Sequence, residues 1–116
     1  MAMVVEDWSD LSDQPLGIEA IKALHQPNED YLFRTSTYKA GASNLVGTSR
    51  KYVYALSGEC AYWYVGDAEA NAMSVRQGQR IWFPKAPMNF RVRPDAEFCY
   101  VVVLKLPENL RCQGFR

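Results

Sequence analysis

Histidine is all but missing from this chain: His25 is the only one among 116 residues. A catalytic transition-metal centre needs about three good protein ligands drawn from imidazole, thiolate and carboxylate groups, so no metal and no cofactor is expected. Cysteine is scarce as well. Cys60, Cys99 and Cys112 are odd in number and widely spaced, with no Cys-x-x-Cys pair, which excludes a zinc ribbon and a dithiol redox motif. All three read as reduced thiols, Cys60 and Cys99 on strands. Excess charge is absent too, because 13 Lys and Arg balance 13 Asp and Glu. No overall field draws the chain to nucleic acid or to an anionic membrane, and neither is expected as a partner. The N-terminus, Met1 to Trp8, has no basic segment and no long apolar run, so it reads as neither signal peptide nor anchor, and the expected address is the cytoplasm.

Other chemistries fail for want of partners. Ser43, Ser49, Ser57 and Ser74 lie in no local motif and share one candidate histidine, a poor basis for a serine triad. Gly41 and Gly47 lack the lysine and the strand-to-helix setting of a phosphate loop. There are no repeats or low-complexity tracts.

What is present is apolar and aromatic. Forty-eight per cent of the residues are hydrophobic and 13% aromatic, enough to bury a core within one domain of this length. Glu6, Asp7, Asp10 and Asp13 make the start acidic, while Arg91, Arg93, Arg111 and Arg116 make the last third basic; both read as solvated faces. Residues 1–13 lack periodicity and suggest an arm lying loosely or over the body. Asp13 can cap a helix with Pro15 in its first turn, and Leu16, Ile18, Ile21 and Leu24 give that helix one apolar face before Pro27 and Asn28 end it. His25 falls at its C-terminal end, where the helix dipole favours a cation. A helix-terminal or surface role is expected for it.

From Tyr31 the pattern changes to short runs of Val, Tyr, Phe and Trp punctuated by Gly, Pro, Asn and Asp about every ten residues. Strands are expected at 31–39, 51–57, 60–65, 73–76, 80–84, 88–93 and 97–105, with turns at Ser57-Gly58-Glu59, Gly66-Asp67-Ala68, Gln77-Gly78-Gln79 and Arg93-Pro94-Asp95. No helices separate these strands, so the fold class is all-β, a sandwich or barrel preceded by a short helix. Residues 1–30 form the arm and helix and residues 31–116 the barrel of a single domain.

Two stretches resemble the cupin superfamily. Arg50-Lys51-Tyr52-Val53-Tyr54-Ala55-Leu56-Ser57-Gly58-Glu59 resembles the end of the first cupin motif, and Gly78-Gln79-Arg80-Ile81-Trp82-Phe83-Pro84 echoes the second, with a β-rich ending from Phe98 to Leu106. The resemblance spans about residues 31–107 and implies a double-stranded β-helix, the jelly-roll barrel. In metal-binding cupins a glutamate precedes the first glycine by seven residues; here that position is Lys51. The late histidine position is Asn89, and Ala86 stands for the usual glycine. The early histidine pair falls on Asn44 and Val46, or on Leu45 and Gly47 if the loop is one residue shorter. None is a histidine, and Lys51 would repel a nearby cation.

Strand alternation turns Val53 and Ala55 inward with Lys51, and Tyr52, Tyr54 and Leu56 outward. The outward face is also apolar, which calls for a cover: the arm and helix, or a second copy of the chain as a homodimer. Beyond Pro84 two registers compete. One aims Asn89 and Arg91 inward, making a cationic mouth with Lys51 suited to a carboxylate or phosphate; the other, one residue slipped, aims Met88, Phe90 and Val92 inward. The hydrophobic pattern prefers the slip. Tyr62, Trp63, Tyr64, Trp82 and Phe83 supply rings for core packing or for stacking on a ligand.

The candidate ligand-binding residues are therefore Lys51, Val53, Tyr62, Tyr64, Trp82, Met88, Asn89, Phe90, Arg91 and Tyr100. The reading is a metal-free cupin-like protein that binds a small organic molecule. One alternative is a metal-independent isomerase or epimerase using Lys51 with Tyr62, Tyr64 or Tyr100. The other is a structural or protein-interaction module with an aromatic outer face.

Overall fold

Alternation along Lys51–Ser57 (β4) sets the architecture, because both faces of this strand are apolar and each needs its own cover. The computed structural model describes residues 2–47 and 49–107. Among the described residues the other strands are β1 (Val4–Asp7), β2 (Tyr31–Tyr38), β3 (Ser43–Val46), β5 (Glu59–Tyr64), β6 (Met73–Arg76), β7 (Gln79–Phe83), β8 (Met88–Val92) and β9 (Phe98–Lys105), with one α-helix, α1 (Ile18–Leu24). They form two antiparallel sheets, ordered β1-β7-β4-β9-β2 and β3-β8-β5-β6. The crossed order is that of a jelly roll.

Val53, Ala55, Ile81, Phe83, Phe98 and Tyr100 from the larger sheet meet Cys60, Tyr62, Met88, Phe90 and Val92 from the smaller one in the barrel core. A second core lies outside the larger sheet, where Tyr54, Val101 and Val103 pack beneath Trp8 and Ile21. The arm and α1 are thus the cover of the outward face of β4. Ile21 is the one buried residue of α1 and is fully enclosed.

Four expectations are corrected. Val4–Asp7, read as an arm, is the edge strand β1, paired with β7 through Val5↔Ile81 and Glu6↔Arg80. Its acidic half hid it, since Glu6 and Asp7 act as partners of Arg80 and Gln79. The helix begins at Ile18 after Gly17, not near Asp13. Trp8 Nε1 donates to the Gln14 carbonyl at 2.6 Å, which ties the preceding segment to the sheet. Ser43–Val46, with two polar residues in four, is the edge strand β3 on β8, where little side-chain burial is needed.

His25 is the fourth correction. It does cap α1, its N–H reaching the Ile21 and Lys22 carbonyls, but it is 7% exposed and its Nε2 lies 2.5 Å from the Tyr54 hydroxyl. Arg80 Nη1 donates to the same hydroxyl at 2.9 Å, and Arg80 Nε to Glu6 at 2.8 Å. Burial, then the Arg80 charge, lowers the His25 pKa to about 4. A neutral imidazole in a second core replaces the expected surface cation, because the polar partners lie on the sheet rather than in solvent.

Candidate ligand site in the barrel

The barrel holds a cavity of about 430 Å³, within the range of small-molecule sites. Arg34, Ser36 and Tyr38 enter it from β2, Lys51 and Val53 from β4, Tyr62 from β5, Phe83 from β7, and Tyr100 and Val102 from β9. Leu45, Val46 and Gly47 close one side. The strand registers explain this set: Arg34 and Val53 both pair with Val102, Arg34 from β2 and Val53 from β4, so β9 carries both polar strands. Towards Phe98 the barrel fills with rings. Tyr38 stacks on Phe90 at 4.4 Å and on Tyr100 at 5.0 Å, and Tyr100 stacks on Phe98 at 5.2 Å.

Arg34 and Lys51 bring two cations to this cavity, and among the described residues no carboxylate lines it. Among the described residues neither cation has an ion-pair partner. Lys51 lies over the Phe83 ring, its Nζ 5.8 Å from the centroid. Burial lowers the Lys51 pKa, and the Arg34 charge lowers it further. Burial also raises Tyr38 and Tyr62 well above the ordinary phenol value, helped at Tyr38 by a hydrogen bond with Tyr100. The Cys60 thiol in the barrel wall is likewise pushed up to about 12, chiefly by burial. At neutral pH the phenols are therefore neutral donors, and the charge in the cavity is positive.

A metal does not fit this lining. Its donors are phenols and one serine hydroxyl, two fixed cations face the same space, and among the described residues no three His, Cys, Asp or Glu come together. Leu45, Val46 and Gly47, three of the positions where the resemblance sets the early histidine pair, do face the cavity, without donor side chains.

Of the residues read from sequence, Lys51, Val53, Tyr62 and Tyr100 line the cavity. Tyr64, Met88 and Phe90 turn inward but pack into the barrel core instead. Trp82, Asn89 and Arg91 do not reach it. Ile81 and Phe83 point inward, so Trp82 between them faces the outer side beside Tyr52. On β8 the slipped register holds: Met88, Phe90 and Val92 are buried, and Arg91 leaves the barrel to pair with Glu69 at 2.8 Å. Solvent on that side relieves the cost of an unpartnered buried guanidinium.

Sequence reasoning missed Arg34, Ser36 and Tyr38. In β2 the apolar residues Tyr31 and Phe33 belong to the outer core, so the polar face looks like the solvent face although it is the one that meets the cavity. The detectable signal was Tyr38, a ring in phase with Arg34 and Ser36.

No protein-family model matches the chain, and no curated protein does. Solved structures do. A Cupin 2 conserved barrel domain protein from Salinispora arenicola superposes with TM-score 0.59 at 13% identity, over 97% of this chain and 82% of that one. A DUF861 family protein from Thermotoga maritima gives TM-score 0.56 at 14% identity, over 89% and 99%. The chain has the cupin fold. The Cupin_2 domain of an XRE family transcriptional regulator from Enterobacter cloacae is also similar, with TM-score 0.55 at 12% identity over 93% and 100%. Within this cupin barrel, Gly58 makes the β4–β5 turn with φ +82°, and Pro84 follows the last residue of β7, where a residue without an N–H costs no ladder bond.

Proposed function

We propose that this cupin barrel binds a small organic anion, a carboxylate or phosphate ester, without a metal. The observation that carries the reading is the pair Arg34 and Lys51, two cations in one cavity with no carboxylate among its described lining residues. Like charges held close together repel, and an anion between the exposed Arg34 and the half-buried Lys51 replaces that repulsion with charge-assisted hydrogen bonds. Ser36, Tyr38 and Tyr100 add neutral hydroxyls for a polar body, and Phe83 and Val102 an apolar wall. A thermal-shift and calorimetric screen of small mono- and dicarboxylates and phosphate esters tests it. A ligand that stabilises the wild type and loses at least tenfold in affinity in both Lys51→Met and Arg34→Met is expected. Ligands that bind all three proteins alike would place binding elsewhere.

A second reading rests on the lowered Lys51 pKa: an amine that is more easily deprotonated can attack a carbonyl, forming an imine with loss of water. Borohydride trapping with small aldehydes and keto acids, read by mass spectrometry at Lys51, separates this enzyme-like role from simple binding.

A further inference from the structure

On the opposite face of the larger sheet, a groove of about 220 Å³ lies where the cover given by α1 ends. Two adjacent rungs of the sheet build it. In the first, Trp82 of β7 pairs with Tyr52 of β4, and Tyr52 with Val103 of β9, making an aromatic floor. In the second, Tyr31 pairs with Lys105, and Arg50 stands two residues before Tyr52, on the same side by alternation. His25 walls the groove, its ring 5.4 Å from that of Tyr52. Tyr52 is held from another side by the Arg80 guanidinium, 4.1 Å from its ring centroid.

The register that sets Tyr52 against Val103 brings Arg50 level with Lys105. Like charges level on neighbouring strands are destabilising, and Lys51 stands at the same rim. Among the described residues no acidic side chain lines the groove, and none of the three cations has an ion-pair partner. The floor is aromatic; the rim is positive. We propose that this groove is a second binding site, separate from the barrel, for a small planar aromatic anion whose ring lies on Trp82 and Tyr52 and whose carboxylate or phosphate meets Arg50 and Lys105. The volume, about half that of the barrel cavity, suits one ring bearing one charged group.

The test is a two-dimensional proton–nitrogen NMR titration with phenyl phosphate, benzoate and inorganic phosphate. The Trp82 indole N–H is assigned by its disappearance in Trp82→Phe. The expected result is a saturable shift of that resonance with the two aromatic anions and a much weaker response to inorganic phosphate. In the double variant Arg50→Gln/Lys105→Gln the dissociation constant should rise at least tenfold, while the dispersion of the remaining amides reports that it is folded. Arg34 does not line the groove, so Arg34→Met should keep the saturable shift while weakening a barrel ligand, and failure here and failure of the barrel reading are distinguishable. No saturable shift in the wild type, or a shift abolished by Arg34→Met but kept by the double variant, overturns the proposal.

Discussion

Arg34 and Lys51 stand on strands that flank β9, and the Lys51 pKa is lowered first by burial and further by the Arg34 charge across the barrel cavity. This relationship sets stability against binding. Lys51→Met removes one of two repelling charges and keeps the packing over Phe83, so the empty protein should unfold at an equal or higher temperature. The same change removes one arm of the anion clamp, and affinity for a barrel ligand should fall at least tenfold, about 1.4 kcal/mol. Denaturant unfolding and calorimetry on one preparation check both signs. A variant that loses stability and affinity together would mark Lys51 as a structural residue.

The buried His25 gives a pH dependence with a definite direction. Its folded pKa, about 4, lies below the ordinary imidazole value of 6.5. Between these values the unfolded chain takes up a proton that the folded chain refuses, so stability falls as pH drops from 6.5 to 4 and levels off below. Allowing for residual solvent screening, the loss attributable to His25 is about 2 kcal/mol. Urea unfolding across pH 4 to 7 measures it against His25→Gln, which should show a shallower slope over that window. Glu6, Arg80 and Tyr54 remain in both proteins, so the difference isolates the imidazole. Parallel slopes would show that His25 titrates normally in the folded chain.

Much of the barrel was readable because its strands have strong signals of one kind. Lys51–Ser57 and Met73–Arg76 run over the residues expected, β2, β8 and β9 differ by a residue at one end, and β5 and β7 are each shifted by one residue. The two missed strands are edges with half-polar sequences, where tertiary pairing supplies what local pattern does not. For the site, counting back from Gly58 reached Lys51, and alternation then led to Val53, which lines the same cavity. It could not reach Arg34, because an arginine on the polar side of β2 looks like a solvated residue unless the facing sheet is known. Nor could it reveal the partners of His25: Tyr54 and Arg80 lie 29 and 55 positions further along, and only the sheet register brings them together.

Absence of a metal is a prediction of the cavity's donor set. Elemental analysis of protein purified without a histidine tag should give less than a tenth of an equivalent, on the order of background binding, of zinc, iron, manganese, nickel or copper. Added metal should leave the melting temperature unchanged, since an ion that binds only the folded state would raise it. A stoichiometric ion would require ligands beyond those facing the cavity and would overturn the metal-free reading.

Gly58 should be the least replaceable residue of the β4–β5 turn. Its φ of +82° lies where side-chain-bearing residues are strained, at a cost of about 1 kcal/mol. A second cause adds to this: a Cβ built at position 58 collides with the backbone carbonyl of Glu97, just before β9. Backbone cannot step aside as a flexible side chain can, so relief would have to move the start of β9, where Phe98 is fully buried. Gly58→Ala should therefore cost about 3 kcal/mol, more than the turn alone accounts for. Gly78, also at positive φ (+89°), has open space where its Cβ would stand, so Gly78→Ala should cost only about 1 kcal/mol. Chemical denaturation of the two variants side by side separates conformational strain from collision. Equal losses would show that the chain at Glu97 yields, and that Gly58 is kept for its backbone angle alone.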